Sequence, residues 1–144
     1  MATVRDILRT KGSAVVVVAP TTTVLDAAHL MDERGTGSVL VVEGADLRGI
    51  FTERDVLRRV VSAQRDPAIT PVSEVMTVSL ITCQPSTSLE QCAATMSERR
   101  IRHLPVLEDG QIVGVVTSGD MLAYRLADQA DTIQQLNSFI YDVR

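Results

Sequence analysis

Two heptads hold a hydroxyl and a carboxylate three residues apart: Gly49-Ile50-Phe51-Thr52-Glu53-Arg54-Asp55 and, 65 positions later, Gly114-Val115-Val116-Thr117-Ser118-Gly119-Asp120. Each stands where an apolar strand gives way to a helix-forming stretch. Thr-x-x-Asp at such a junction is a capping-box pattern: Thr52 or Thr117 caps the helix, and Asp55 or Asp120 sits at its third position. The same pair can also bind. A helix entrance offers unpaired amides and a positive dipole end, both suited to anions. The hydroxyl can donate to a phosphate oxygen while the carboxylate accepts from a diol. An ionised Asp repels phosphate, so a ligand serving both groups turns its sugar hydroxyls toward Asp and its phosphates toward Thr and Arg. A nucleotide has that layout. One such heptad reads as a cap; two at matching places mark a duplication.

The elements that must position these residues repeat with them. The same offset pairs Pro20 with Pro85, Ala28 with Ala93, Met31 with Met96 and Val41 with Val106. Each copy reads strand, helix, strand, hairpin turn, strand, helix. In the first, Ala14–Ala19 is a β-branched run ended by Pro20. Thr21-Thr22-Thr23 caps a helix with Val24, Ala27, Ala28 and Met31 on one face, stopped by Gly35 and Gly37. Val39–Val42 and Leu47–Phe51 flank a turn at Glu43-Gly44-Ala45-Asp46. In the second, Val78–Thr82 precedes Pro85 and a helix with Leu89, Cys92, Ala93 and Met96. Leu104–Leu107 and Ile112–Val116 then flank Glu108-Asp109-Gly110. Alternating strands and helices predict a small sheet covered by helices.

A lead-in precedes each copy, Val4-Arg5-Asp6-Ile7-Leu8 against Val72-Ser73-Glu74-Val75-Met76. Its offset is 68, so the first copy carries three extra residues, most simply around Lys11-Gly12-Ser13. The predicted division is a first repeat over 1–61, a linker over 62–71, a second repeat over 72–127 and a helical extension over 128–144. Leu122, Leu126, Ile133, Leu136 and Ile140 mark one apolar face of that last helix, which either folds back on its own core or packs on a second subunit.

The chain has 144 residues, 45% of them hydrophobic. Copies of roughly 55–60 residues are marginal alone and must pack together. Net charge is −4, which argues against a broad phosphate-backbone footprint. The aromatics, Phe51, Tyr124, Phe139 and Tyr141, are too few for a base-stacking platform. No stretch approaches bilayer-spanning length and no signal-peptide pattern opens the chain, so the expectation is cytoplasmic residence without membrane or nucleic-acid partners. Cys83 and Cys92 match no metal motif, and His29 and His103 do not complete one; the cysteines read as small packed hydrophobes.

Over about residues 4–127 the chain resembles a pair of cystathionine β-synthase (CBS) domains, the tandem unit called a Bateman module. The marks are the two G-h-h-T-x-x-D segments, the helices ending at Met31 and Met96, and Ile101-Arg102-His103-Leu104-Pro105-Val106. The resemblance implies an α/β (α+β) fold of two β-α-β-β-α units about a pseudo-twofold axis, with two clefts between them. It implies adenosine ligands there (AMP, ADP, ATP, S-adenosylmethionine or NAD-type molecules), and commonly a disc-shaped homodimer. By carry-over, Asp55 and Asp120 are ribose ligands and Thr52 and Thr117 phosphate contacts. Arg54, Arg102 and His103 are further phosphate contacts, assigned to neither cleft in particular. Thr22, Val39, Ile50, Thr82, Leu104 and Val115 line the adenine pockets, though all of these could equally be core.

No nucleophile–base pair or metal cluster can be assembled, so catalysis is not expected and no catalytic cofactor is implied. The expected role is a stand-alone sensor of adenosine ligands that signals to a regulated partner by a change of shape. The alternative is a structural dimerisation module whose clefts have lost their ligand.

Overall fold

In a computed structural model, which describes the backbone of residues 1–142 and the side chains of 1–136, each repeat builds its own sheet and core. The first sheet has the order β1–β2–β3, from Val17–Val18, Ser38–Glu43 and Asp46–Thr52. Its β1–β2 pairing is parallel and its β2–β3 pairing antiparallel. The second is the antiparallel hairpin of β4 (His103–Glu108) and β5 (Gln111–Thr117). Asp109 and Gly110, with φ of 52° and 78°, make the left-handed turn their sequence predicts.

The described residues also form five α-helices: α1 (Val4–Lys11), α2 (Val24–Arg34), α3 (Glu53–Asp55), α4 (Leu89–Arg99) and α5 (Ser118–Asp142). A π-helical segment, Val56–Val61, continues α3. Thr23 caps α2 by accepting from the Asp26 amide, and Gly35 ends it at φ 63°. At the equivalent end of α4 stands Arg100, also left-handed at φ 55°.

The first strands are shorter than expected. Only Val17 and Val18 of the 14–19 run pair, and no strand forms at 78–82 among the described residues. Cys83 alone bridges Val106, as Val18 pairs with Val41 in the first repeat. One step back, the Leu40 amide donates to the Val16 carbonyl. Its counterpart in the second repeat is Pro105, which has no N–H to give. The ladder therefore stops at one bridge.

The lead-ins trade places. Val4 and Ile7 of α1 are buried in the second core with Leu89, Cys92 and Leu104, while Val72 and Val75 are buried in the first with Val24, Ala27 and Phe51. Main-chain bonds repeat the exchange. Val4 donates to Thr87 and Arg5 to Pro85; Val72 donates to Thr22 and Ser73 to Pro20. Each repeat is thus completed by the other's lead-in, which explains why units of this size hold a core.

The first glycine of each heptad seats the lead-in. A Cβ on Gly49 would lie 2.6 Å from Met76 Sδ and 2.9 Å from the Thr77 carbonyl oxygen, and one on Gly114 2.7 Å from Leu8 Cδ2. The Thr77 carbonyl is fixed, because it accepts from Ile50 while the Thr77 amide donates back. Leu8 can rotate. Gly49→Ala is therefore expected to destabilise the fold by about 2–3 kcal/mol and Gly114→Ala by about 1 kcal/mol. Urea unfolding of both variants checks the order; equal losses would mean the carbonyl contact is not limiting.

Along α5, Leu122, Leu126, Ile133 and Leu136 are each 56–60% exposed, so none of the described residues covers the apolar face predicted there. Ile140 lies outside the residues whose side chains are described. Cys83 and Cys92 are free and buried in the second core. The adjacent Cys92 side chain and then burial push the Cys83 thiol well above its ordinary range, and the same contact lowers that of Cys92. His29 is exposed on α2.

Candidate functional site

Both heptads cap their helices, yet their carboxylates differ in surroundings. Asp55 Oδ2 accepts from the Thr52 amide at 3.0 Å and from Thr52 Oγ1 at 3.3 Å. Thr77 Oγ1, arriving with the second lead-in, donates to Asp55 Oδ1 at 3.1 Å, and Arg59 Nε stands 3.7 Å from the same oxygen. Both oxygens are engaged, and the residue is only 5% exposed. Asp120 Oδ2 accepts from the Thr117 amide at 2.9 Å and from Lys11 Nζ at 2.7 Å. Among the described residues both hydrogen bonds fall on Oδ2; the side chain is 22% exposed and borders two cavities, one between the repeats and one between α1 and α5.

Two clefts open between the repeats. The Asp120 cleft encloses 570 Å³ and is walled by Val16, Leu40 and Val115, with Thr117 and Asp120 at the entrance of α5. Lys11, Arg34 and Arg102 face it against Glu53 and Asp120. The Asp55 cleft encloses 390 Å³ between Ile50, Thr52, Asp55 and Ile101. Arg54, Arg58, Arg100 and Arg102 face it against Glu53 and Asp55. In a chain of net charge −4, both linings carry more cations than carboxylates, which suits anionic ligands.

Glu53, Arg102 and His103 line both clefts and form the wall between them. The open assignment of Arg102 and His103 to one cleft thus has a geometric answer: they border both. Burial lowers the His103 pKa first, and Glu53 opposes that shift. Burial thus favours the neutral imidazole. Arg54 borders only the Asp55 cleft, where its Nη1 donates to the Arg100 carbonyl at 2.6 Å. That bond holds the left-handed Arg100, an unfavourable conformation for a residue with a side chain. Arg100 itself lines the cleft.

Of the expected adenine-pocket residues, Ile50 borders the Asp55 cleft and Val115 the Asp120 cleft. Val39, Leu104, Thr22 and Thr82 line neither. Alternation along the strands is the reason for the first two: Ser38 and Leu40 face a cleft, as does His103, so Val39 and Leu104 turn to the opposite face and are buried in the two cores. Thr22 gives its carbonyl to the Val72 amide, and Thr82 is exposed. Lys11, Arg34, Arg58, Arg100 and Thr77 were not singled out as cleft residues from sequence. The three-residue insertion was the available signal for Lys11, and the arginine at the position of Gly35 was the signal for Arg100.

The sequence model of the CBS domain family matches residues 4–62 and 72–127. The chain is 35% identical over 130 residues to the CBS domain-containing protein YhcV of Bacillus subtilis (strain 168), covering 90% of each. A candidate signal-transduction protein with CBS domains from Burkholderia ambifaria MC40-6 superposes with a TM-score of 0.86 at 43% identity, over 89% of this chain and 96% of that one. The CBS domain pair of protein MJ0100, solved in complex with 5′-methylthioadenosine and S-adenosyl-L-methionine, gives 0.77 at 25% identity, over 89% and 98%. The matched segments are the two repeats that exchange lead-ins and hold the twin heptads: this chain belongs to the CBS domain family and carries two CBS domains in tandem.

Proposed function

We propose that this CBS pair is a regulatory sensor of adenosine-containing ligands, with the Asp120 cleft as its principal site. The carrying observation is the partly exposed Asp120 carboxylate at a helix entrance, bordering a 570 Å³ cleft whose cations outnumber its carboxylates. There Asp120 takes the ribose diol and Thr117, Arg102 and His103 the phosphates, while Val115 and Leu40 flank the base. Binding of adenosyl compounds by the MJ0100 CBS pair supports this ligand class. In the Asp55 cleft, Thr52 and Arg54 are phosphate contacts and Ile50 a base contact. Asp55 can serve a ribose there only once Thr77 rotates away. Ligand entry between the repeats shifts their relative angle as far as its affinity for the two arrangements differs.

Signalling also needs a second surface, and α5 supplies it as the contact of a homodimer. Leu122 and Leu126 repeat, 65 positions on, the exposed Leu57 and Val61 after α3, and Ile133 and Leu136 extend the row at heptad spacing. Six such side chains expose on the order of 600 Å² per copy, so that two copies approach the roughly 1,200 Å² where specific interfaces begin. Leu126→Glu with Ile133→Glu is expected to convert a dimer into a monomer in light scattering. A wild-type monomer at tens of micromolar would remove the dimer from the proposal.

Thermal-shift and calorimetric titration with AMP, ATP and S-adenosylmethionine tests the sensor. The expected result is saturable stabilisation by at least one of them at micromolar affinity. The competing reading, a dimerisation module without ligand, draws on the nearly sealed Asp55 and the uncovered face of α5. It predicts no shift with any adenosine compound.

A further inference from the structure

Lys11 reaches the second repeat's heptad from the lead-in of the first. It is the last residue of α1, and Gly12, at φ 90°, turns the chain away immediately after it. Its Nζ donates to Asp120 Oδ2 at 2.7 Å and to the Val115 carbonyl oxygen at 2.9 Å. These are a carboxylate and a main-chain carbonyl, the acceptors the cleft offers to the hydroxyls and amine of a nucleoside. The other cleft is furnished differently. There the crossing lead-in supplies the short hydroxyl of Thr77, and the Asp55 side chain is 7% exposed. The Lys11–Asp120 pair is 33% and 22% exposed, so water screens it and its net strength is small. An ammonium on a four-carbon stem can leave such a partner without moving α1, whose Val4 and Ile7 stay locked in the second core.

We propose that Lys11 is a specificity-determining residue of the Asp120 cleft, an internal counter-ion that phosphate-bearing nucleosides draw off and phosphate-free ones must displace unaided. The inference rests on the reading of this cleft as an adenosine site and deepens it to a ligand class. When ribose hydroxyls take Asp120, the ammonium loses its partner. A phosphate re-pairs it, with Arg34 and Arg102 lining the same space. Adenosine or 5′-methylthioadenosine offers no anion, and both still compete with Lys11 for the carboxylate. The cleft therefore prefers AMP, ADP or ATP over neutral adenosine compounds.

The test is calorimetric titration of the full chain with AMP, ATP and adenosine, in the wild type and in Lys11→Met, which keeps the apolar stem and removes the charge. Loss of a charge-assisted contact is expected to weaken AMP and ATP about tenfold, while adenosine tightens about threefold for want of a competitor. The preference for AMP over adenosine then falls about thirtyfold, and Lys11→Arg restores most of it. Opposite signs are the signature, because a merely disturbed fold weakens all three ligands together. Parallel shifts, or an unchanged ratio with measurable binding throughout, overturn the role of Lys11 and leave the adenosine site standing. If none of the three binds the wild type, the site itself is refuted and Lys11 with it.

Discussion

Asp120→Ala is expected to weaken adenine-nucleotide binding tenfold to a hundredfold and to cost the fold about 1 kcal/mol. The binding loss follows from two ribose hydroxyls donating to a carboxylate, where a charge-assisted hydrogen bond contributes about 1.5–3 kcal/mol. Freed Lys11 can then follow a phosphate, which offsets part of the loss for AMP and ATP. Adenosine has no phosphate and should suffer most. Stability changes little because the Thr117 amide, in contact with Asp120 Oδ2 at 2.9 Å, sits at a partly open helix entrance where water can replace the lost acceptor. Calorimetric titration against AMP and adenosine reads the first effect and urea unfolding the second. Unchanged affinity for every ligand would take Asp120 out of the site.

Asp55→Ala should behave in the opposite manner, with a large loss of stability. The side chain accepts from the Thr52 amide, Thr52 Oγ1 and Thr77 Oγ1 within a residue that is 5% exposed. Its removal leaves a half-buried amide and a half-buried hydroxyl without their acceptor, and it unfastens the lead-in that carries Val72 and Val75 into the first core. A lost capping box and an unsatisfied, half-buried donor together amount to about 2–4 kcal/mol. For a chain of this size that lowers Tm by roughly 6–15 °C. Asp55→Asn, which keeps an acceptor oxygen for Thr52 or Thr77, should recover about half. Differential scanning calorimetry decides the matter: if Asp55→Ala and Asp120→Ala melt together, burial does not distinguish the two heptads.

The contrast between these residues shows where sequence reading stopped. The heptads are identical at Gly, Thr and Asp, so by sequence they are one motif with one expected role. The difference lies in what crosses to each: Thr77 to Asp55, Lys11 to Asp120. Strand ends tell the same story. The expected Val39–Val42 and Leu47–Phe51 lie within Ser38–Glu43 and Asp46–Thr52, because alternation and turn residues act locally. The expected strand at 78–82 does not form, because its partner position is Pro105, more than twenty residues downstream in the chain.

By itself the sequence determined the duplication, the helices and hairpins of each repeat, the two capping heptads and the membership that the matched repeats bear out. These follow from periodicity, caps and turns, whose physics spans a few neighbouring residues. Only the tertiary structure decided that the lead-ins are exchanged, that Asp55 is nearly buried at its cleft while Asp120 is more open at the other, and that Glu53, Arg102 and His103 stand between two cavities. The ion pair of Lys11 with Asp120 joins residues 109 positions apart. No local pattern encodes such a contact, because it exists only once both cores have packed.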